Sequence, residues 1–329
     1  MRLFSCLIGI IILLVLIDLL FGAVSLSFPD LFHTLSGNPP SELLQNIILG
    51  YRLPKMLTAL LVGMALPTCG LIMQRFFRNP LAGPFVLGVS SGATLGAAIA
   101  ILIGGLGGFT TALSVVGAAT LGAMLVLLLI FFAALRLKGQ NTILIFGILL
   151  SAVAFGVVNS LQYISNEHAL KLFVVWTMGS LSEVTNHSLA LLALASFVGI
   201  AIVWVCLRPL ALLQLGSEHA TSVGLPIRTT TALLFVATAL LAGVTTAFCG
   251  PIGFVGLVIP HLARILLRSA ALPTLLCATL LLGMASMLSV DILSQLVAHW
   301  VALPLNALIA VVNLPLLVHL MLSTKRVEV

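Results

Sequence analysis

Apolar residues fall along the chain in blocks of about twenty, separated by short polar breaks. The blocks lie near 5–24, 55–74, 84–104, 110–135, 141–162, 188–207, 230–248, 251–268, 272–290 and 302–322. A helix needs roughly 20 apolar residues to cross about 30 Å of hydrocarbon. The pattern therefore predicts an all-α polytopic membrane protein, a single transmembrane domain over 1–329 with ten spanning helices. The eighth block is the weakest, being short and interrupted by Pro251 and Pro260, so nine is the fallback count. The first block follows Arg2 but lacks a small-x-small cleavage site and contains Asp18, so it reads as a retained helix rather than a signal peptide.

Small residues interrupt the apolar faces. In the third block Gly88, Gly92, Gly96, Ala100 and Gly104 recur every four residues, a smooth ridge against which another backbone can pack. The second carries Gly63, Pro67 and Gly70, and the fifth carries Gly147, Ser151, Gly156 and Ser160. Together they predict a tight bundle with a path through it.

Composition removes the other classes. The chain is 61% hydrophobic and 7% charged, with a mean hydropathy of +1.29, and so few charges cannot clothe a soluble surface. The five cysteines are odd in number and lie within or against apolar runs, which excludes a disulfide scaffold. The net charge of +6 comes from scattered residues without a basic tract, so no nucleic-acid partner is expected. With the N-terminus inside and ten spans, eleven cations fall on the cytoplasmic side: Arg2, Arg75, Arg78, Arg136, Lys138, Arg208, Arg228, Arg264, Arg268, Lys325 and Arg326. Arg52, Lys55 and Lys171 fall outside. That split obeys the positive-inside rule and places both termini in the cytoplasm.

Catalytic chemistry is sparse. None of the seven histidines sits in a metal-protease arrangement, and His261 after Pro260 reads as part of a bent helix. No phosphate-binding glycine loop is present. Asp18 is the one acid inside a span; it is either a proton or ion site or a carboxylate that snorkels or pairs, and its place near the outer third of the first helix favours the second reading. With almost no ionisable residue in mid-membrane to use an ion gradient, the energy for transport is expected from a partner. No metal and no cofactor are expected on this chain.

Two segments between spans stand out. The inner loop 208–228, "RPLALLQLGSEHATSVGLPIR", predicts two short helices. Ser217 would cap the second, Gly224 end it and Pro226 stop it. Its length suits docking a cytoplasmic partner. The outer "YRLPK" at 51–55 places two cations on the disfavoured side, where they either anchor to lipid headgroups or meet an acidic patch on an extracytoplasmic protein.

These same places resemble the ATP-binding-cassette importer permeases for vitamin B12, iron-siderophore complexes and haem. The resemblance runs from about residue 49 to 322 through "YRLPKMLTALLVGMAL" (51–66), "MQRFFRNPLAGPFVLGVSSGATLGA" (73–97), "VVWTMGSL" (174–181), "LRPLALLQLGSEHATSVGL" (207–225), "CGPIGFVGLVIPHLARILL" (249–267) and "ALPLNALIAVVNLPLLVHLM" (302–321). It implies the type II importer permease fold in a bacterial inner membrane. It also implies a homodimer with a central path, two cytoplasmic ATP-binding subunits using ATP-Mg, and an extracytoplasmic substrate-binding protein. By match, Gly216, Glu218, Ala220 and Gly224 belong to the loop seated in the ATPase. Arg52, Lys55 and Gln295 are the docking positions, and Asn159 and Gln162 lie toward the outer end of the path-lining fifth span. Asn79, Pro80, Gly250, Pro251, Pro260, His261 and Arg264 belong to structural motifs.

The sequence departs from the family pattern at Gln295 and Lys55, where relatives carry arginine, so docking loses bidentate geometry. The family's closing glutamate reads Ala302, and family glycines read Asn306 and Asn313. The expected cargo is a large metal chelate or corrinoid. The alternatives are a bare metal ion or an oxyanion such as molybdate and, in a different class, a proton-coupled transporter using Asp18.

Overall fold

The computed structural model describes residues 2–22, 24, 26–83, 87–104, 112–137, 139–267, 271–298, 300–301 and 303–324. Arg268, Lys138, Ala302, Lys325 and Arg326 lie outside the described residues, as do the side chains of Ser217 and Glu218. A helix occupies each of the ten apolar blocks. In chain order these are α1 (Arg2–Leu20), α3 (Glu42–Phe76), α4 (Val89–Ile103), α5 (Ala112–Arg136) and α6 (Gln140–Ile164), then α8 (Asn186–Leu213), α10 (Ile227–Cys249), α11 (Val255–Leu267), α12 (Leu272–Val297) and α13 (Leu305–Thr324). Three further helices are too short to have registered as spans: α2 (Phe28–Leu35), α7 (Glu167–Thr177) and α9 (Ser217–Ser222).

Among the described residues seven of these helices are long and apolar enough to cross a membrane by length and composition: α1, α3, α5, α6, α8, α10 and α12. Outside that set are α13 and the two shorter apolar helices, α4 and α11. At 13 residues α11 extends only about 20 Å, because Gly250–Phe254 forms an irregular loop where the sequence pattern began the eighth helix. Wide π turns interrupt α3 at Asn46–Arg52, α4 at Ile99–Ile103 and α10 at Ala239–Gly243.

The central helix is α3. In its most apolar stretch 83% of residues are buried, against 17% in α1 and 22% in α6. Its burial depends on missing side chains. A Cβ on Gly63 would lie 2.5 Å from the Gly283 carbonyl oxygen of α12, and one on Gly70 would strike the Gly256 carbonyl of α11. The ridge on α4 does the same against α5: Gly92 faces Gly122, where a Cβ would come within 2.5 Å of the carbonyl, and Gly96 faces Ala118. Lipid tails are as apolar as leucine, so close backbone packing rather than the hydrophobic effect holds such pairs together. The ridge ends sooner than its spacing predicts. Beyond Ala98 the π turn breaks the four-residue register, and Ala100 and Gly104 are only half-buried.

Because α3 runs the depth of the bundle, Arg52 and Arg75 near its ends mark opposite faces. The face of Arg75, Gly139 and Gly216 is termed the basic end here.

Candidate functional site

At the basic end α8 runs on past its internal Pro209 to Leu213, so the first of the two short helices expected in the 208–228 loop is the continuation of a spanning helix. The second is α9. Its N-cap is Gly216, not Ser217, and no side chain caps it. Gly216 (φ +122°) and Gly224 (φ +84°) bracket α9 in backbone conformations that a Cβ disfavours. Gly224 N–H donates to Thr221 O and Leu225 N–H to Ala220 O, both at 2.9 Å, closing the C-terminal turn. Ala220 is buried beneath the turn, while Leu215 and Val223 are 67% and 62% exposed. The segment is thus a glycine-bracketed knob whose exposed side chains include the apolar Leu215 and Val223.

The surrounding motifs brace that end. Asn79 Oδ1 accepts from Leu81 N–H at 2.9 Å, and the turn through Pro80 redirects the chain into the bundle. There Gly88 lies against Gly147 and Ser151 in the body of α6. Irregular backbone at membrane depth is tolerated where protein surrounds it. Arg264 Nη2 donates to Gln74 Oε1 at 3.3 Å, and Gln74 Nε2 donates to Leu257 O at 3.0 Å, which ties α11 to α3. Pro260 is buried and His261 half-buried one turn from Arg264.

The opposite end holds a cluster that the sequence did not connect. Lys55 Nζ lies 2.8 Å from Asp291 Oδ1, with only 11% and 1% of the two side chains exposed. Gln295 Nε2 donates to Asp18 Oδ1 at 2.7 Å and to Asp291 Oδ2 at 3.3 Å. Arg52 is buried; its Nη1 donates to Leu19 O at 2.7 Å and its Nη2 to Val24 O. Arg52 therefore satisfies a C-terminal carbonyl of α1, where a cation also suits the helix dipole. Side chains from α1, α3 and α12 thus gather here, with the Lys55–Asp291 ion pair linked to Asp18 through Gln295 and Arg52 held on the carbonyls at the end of α1. Gly22 leaves room for it, since a Cβ there would come 2.7 Å from Arg52 Nη2. The three docking positions do come together as internally partnered groups, Arg52 buried and Lys55 and Gln295 half-buried, and Asp18 accepts a hydrogen bond from Gln295.

Nearby, three separate sequence motifs meet at Asn306, one of the departures from the family pattern. Its Nδ2 donates to Pro251 O at 2.7 Å and to Thr177 O at 3.3 Å, and its Oδ1 accepts from Gly253 N–H at 3.2 Å. Ser180 N–H donates to Cys249 O at 2.9 Å, and Gly250 packs directly on the Trp176–Gly179 turn. Asn313, the other departure, is fully buried with both side-chain polar atoms unpartnered.

Asn159 is exposed and Gln162 half-exposed toward the C-terminal end of α6, whose neighbouring Val153, Phe155 and Tyr163 are also exposed. They remain apart from the two end clusters. Among the described residues no group of three histidine, cysteine or acidic side chains is placed to hold a metal ion. Arg78 is the residue the sequence reading undervalued. It sits at φ +49°, rare for a side chain with a Cβ, and its Nη2 donates to Leu213 O at 2.8 Å, joining the end of α3 to the start of the α9 segment. Its place beside the Asn79–Pro80 turn was the available signal.

Comparison with known proteins agrees with this geometry. A profile of the FecCD transport family matches residues 10–323. The vitamin B12 import system permease protein BtuC of Klebsiella pneumoniae subsp. pneumoniae is 36% identical over 295 residues, 87% of this chain and 87% of that protein. Its namesake from Salmonella typhimurium is 34% identical over 280 residues, covering 84% and 83%. A solved structure described as an inward-facing metal-chelate type ABC transporter superposes with a TM-score of 0.86 at 29% identity, covering 98% of this chain and 99% of that one. PsaBC from Streptococcus pneumoniae, solved in complex with Fab, shares the fold at a TM-score of 0.57 and 14% identity, covering 88% and 94%.

Proposed function

The chain belongs to the FecCD transport family, and from that premise we propose how its parts divide the work of import. It is the permease subunit of an ABC importer for a metal chelate or corrinoid, a transport component rather than an enzyme. The family implies a dimer, a partner ATPase and a substrate-binding protein. Two copies of this chain form the central path, and two ATP-binding subunits, which use ATP-Mg, sit against the basic end in the cytoplasm. No cofactor is held by the permease itself. Both termini face the cytoplasm, the orientation that puts eleven of the fourteen cations inside.

The observation that carries this division is the α9 knob. Gly216, Glu218, Ala220 and Gly224 form the segment that enters the ATPase, and its exposed Leu215 and Val223 supply an apolar contact. Closure of the ATPases on ATP moves the knob, and the dimer shifts between outward and inward access. Asn159 and Gln162 on α6 face the path near its outer end. At the outer face, exposed Tyr51 and Trp300 form the rim that receives the binding protein, with Arg52, Lys55 and Gln295 as the scaffold beneath it. Of the family cargoes a corrinoid is favoured, because the curated relatives at 36% and 34% identity import vitamin B12.

The test is reconstitution of permease, ATPase and binding protein in proteoliposomes, with uptake of cobalamin, a ferric siderophore, haem and molybdate compared. ATP-dependent cobalamin uptake is expected. Uptake of molybdate alone would overturn the chelate reading, and uptake of siderophore or haem alone would reassign the cargo within it.

A further inference from the structure

At the basic end lies an open cavity of about 350 Å³, lined by residues at the ends of α3, α5, α6, α8 and α10. Arg78 and Arg228 supply its charge, and Phe131, Leu135 and Ile143 supply apolar wall. Arg78 uses one nitrogen on Leu213 O, and its other donors meet no partner among the described residues. Arg228 is exposed and committed to no partner among the described residues. No carboxylate lines the cavity among the described residues.

The backbone adds to the same polarity. Gly139 and Gln140 at the start of α6, and Ile227 at the start of α10, also line the cavity, and no side chain caps either helix. Uncapped first-turn N–H groups carry the positive end of the helix dipole. Two arginines and two helix starts thus converge on one space, next to apolar wall that continues onto the exposed Leu135 and Phe132 of α5. A phosphate group with an acyl chain attached matches both halves of that surface. Basic pockets between spanning helices at the cytoplasmic face take anionic headgroups, and the cytoplasmic leaflet supplies them.

We propose that this cavity binds the phosphate of an anionic inner-leaflet phospholipid, held by Arg78 and Arg228, with its acyl chain along Leu135 of α5. The bound lipid would brace α3, α8 and α10 around the root of the α9 knob. The proposal rests on the cytoplasmic assignment of the basic end and not on any cargo.

Native mass spectrometry of the purified permease, titrated with phosphatidylglycerol, phosphatidylcholine or inorganic phosphate, tests it without transport. One phosphatidylglycerol per chain is expected to persist in preference to phosphatidylcholine. Arg228→Gln should weaken that binding about fivefold, since each basic side chain near an anionic surface contributes on that scale. Arg78→Gln with Arg228→Gln should abolish the preference, whereas Arg136→Gln, a cation at the same end outside the cavity, should leave it unchanged. Equal retention of both lipids overturns the proposal, as does an Arg228→Gln variant indistinguishable from Arg136→Gln. Inorganic phosphate that displaces the lipid would assign the cavity to a free anion instead. Loss of ATPase association with lipid binding intact would assign Arg228 to the protein partner.

Discussion

Replacing Lys55 with methionine strands Asp291 among α1, α3 and α12. The pair is 2.8 Å apart and nearly excluded from solvent. At that separation the Coulomb attraction is about 6 kcal/mol for an effective dielectric of about 20. The carboxylate keeps a hydrogen bond from Gln295 Nε2 at 3.3 Å, whereas the Ser294 hydroxyl gives its one proton to the Asp291 carbonyl at 2.7 Å. Breaking a buried pair by removing one partner costs roughly 3–5 kcal/mol, and the expected loss lies in that range. Lys55→Met with Asp291→Leu should recover at least about 2 kcal/mol of it, because a well-packed apolar pair often matches or exceeds a buried ion pair. The reciprocal exchange, Lys55→Asp with Asp291→Lys, should also restore stability. Equilibrium unfolding of the purified permease in mixed micelles measures the cycle, and binding-protein affinity is read in parallel. A single variant that loses less than about 1 kcal/mol, or a double no more stable than the single, refutes the internal pairing. Intact stability with weakened binding-protein affinity would return Lys55 to the docking interface.

Four further outcomes are expected. Gly70→Ala should prevent folded expression, because its Cβ meets the Gly256 carbonyl, whereas Gly117→Ala, with nothing within 4 Å, should change stability by no more than about 1 kcal/mol; size-exclusion yield and unfolding separate the two. Val223→Asp should leave the permease as stable as the parent but abolish copurification with the ATPase, since it alters an exposed contact only; retained ATPase would remove α9 from the interface. Asn306→Ala should cost about 1 kcal/mol or somewhat more by leaving half-buried backbone groups at Pro251 and Gly253 without the amide, and unchanged unfolding would show that water replaces it. Trp300→Ala with Tyr51→Ala should weaken binding-protein association without altering ATPase binding; a surface-binding measurement on the complex would expose an unchanged affinity.

The hydrophobic pattern located all ten apolar helices, because the need to bury about 20 residues in hydrocarbon acts on each segment alone. Gly92 and Gly96 announced a close backbone contact by their spacing, and Gly224 marked the end of α9, since φ and ridge periodicity are local properties, whereas the cap expected at Ser217 falls on Gly216. The short α2 and α7 were missed because a turn or two of helix at the bundle's edge leaves no span-length signature. The early end of the α4 ridge was missed too, because a π turn changes the period without changing the residue types.

Partnership was not local. Arg52 and Lys55 stood out by sequence as cations on the wrong side of the membrane, which fitted an external partner as well as an internal one. Only the packing of α1 and α12 against α3 brought Asp18 and Asp291 to them, through a glutamine hydrogen-bonded to a carboxylate 277 positions away. The same holds for Asn306, which joins three motifs, and for Arg78 and Arg228, which share a cavity. The sequence by itself determined that the chain is an all-helical membrane protein and where its apolar helices lie, since each block settles its own transfer free energy. The tertiary structure decided which polar groups neutralise one another, since that depends on which helices become neighbours.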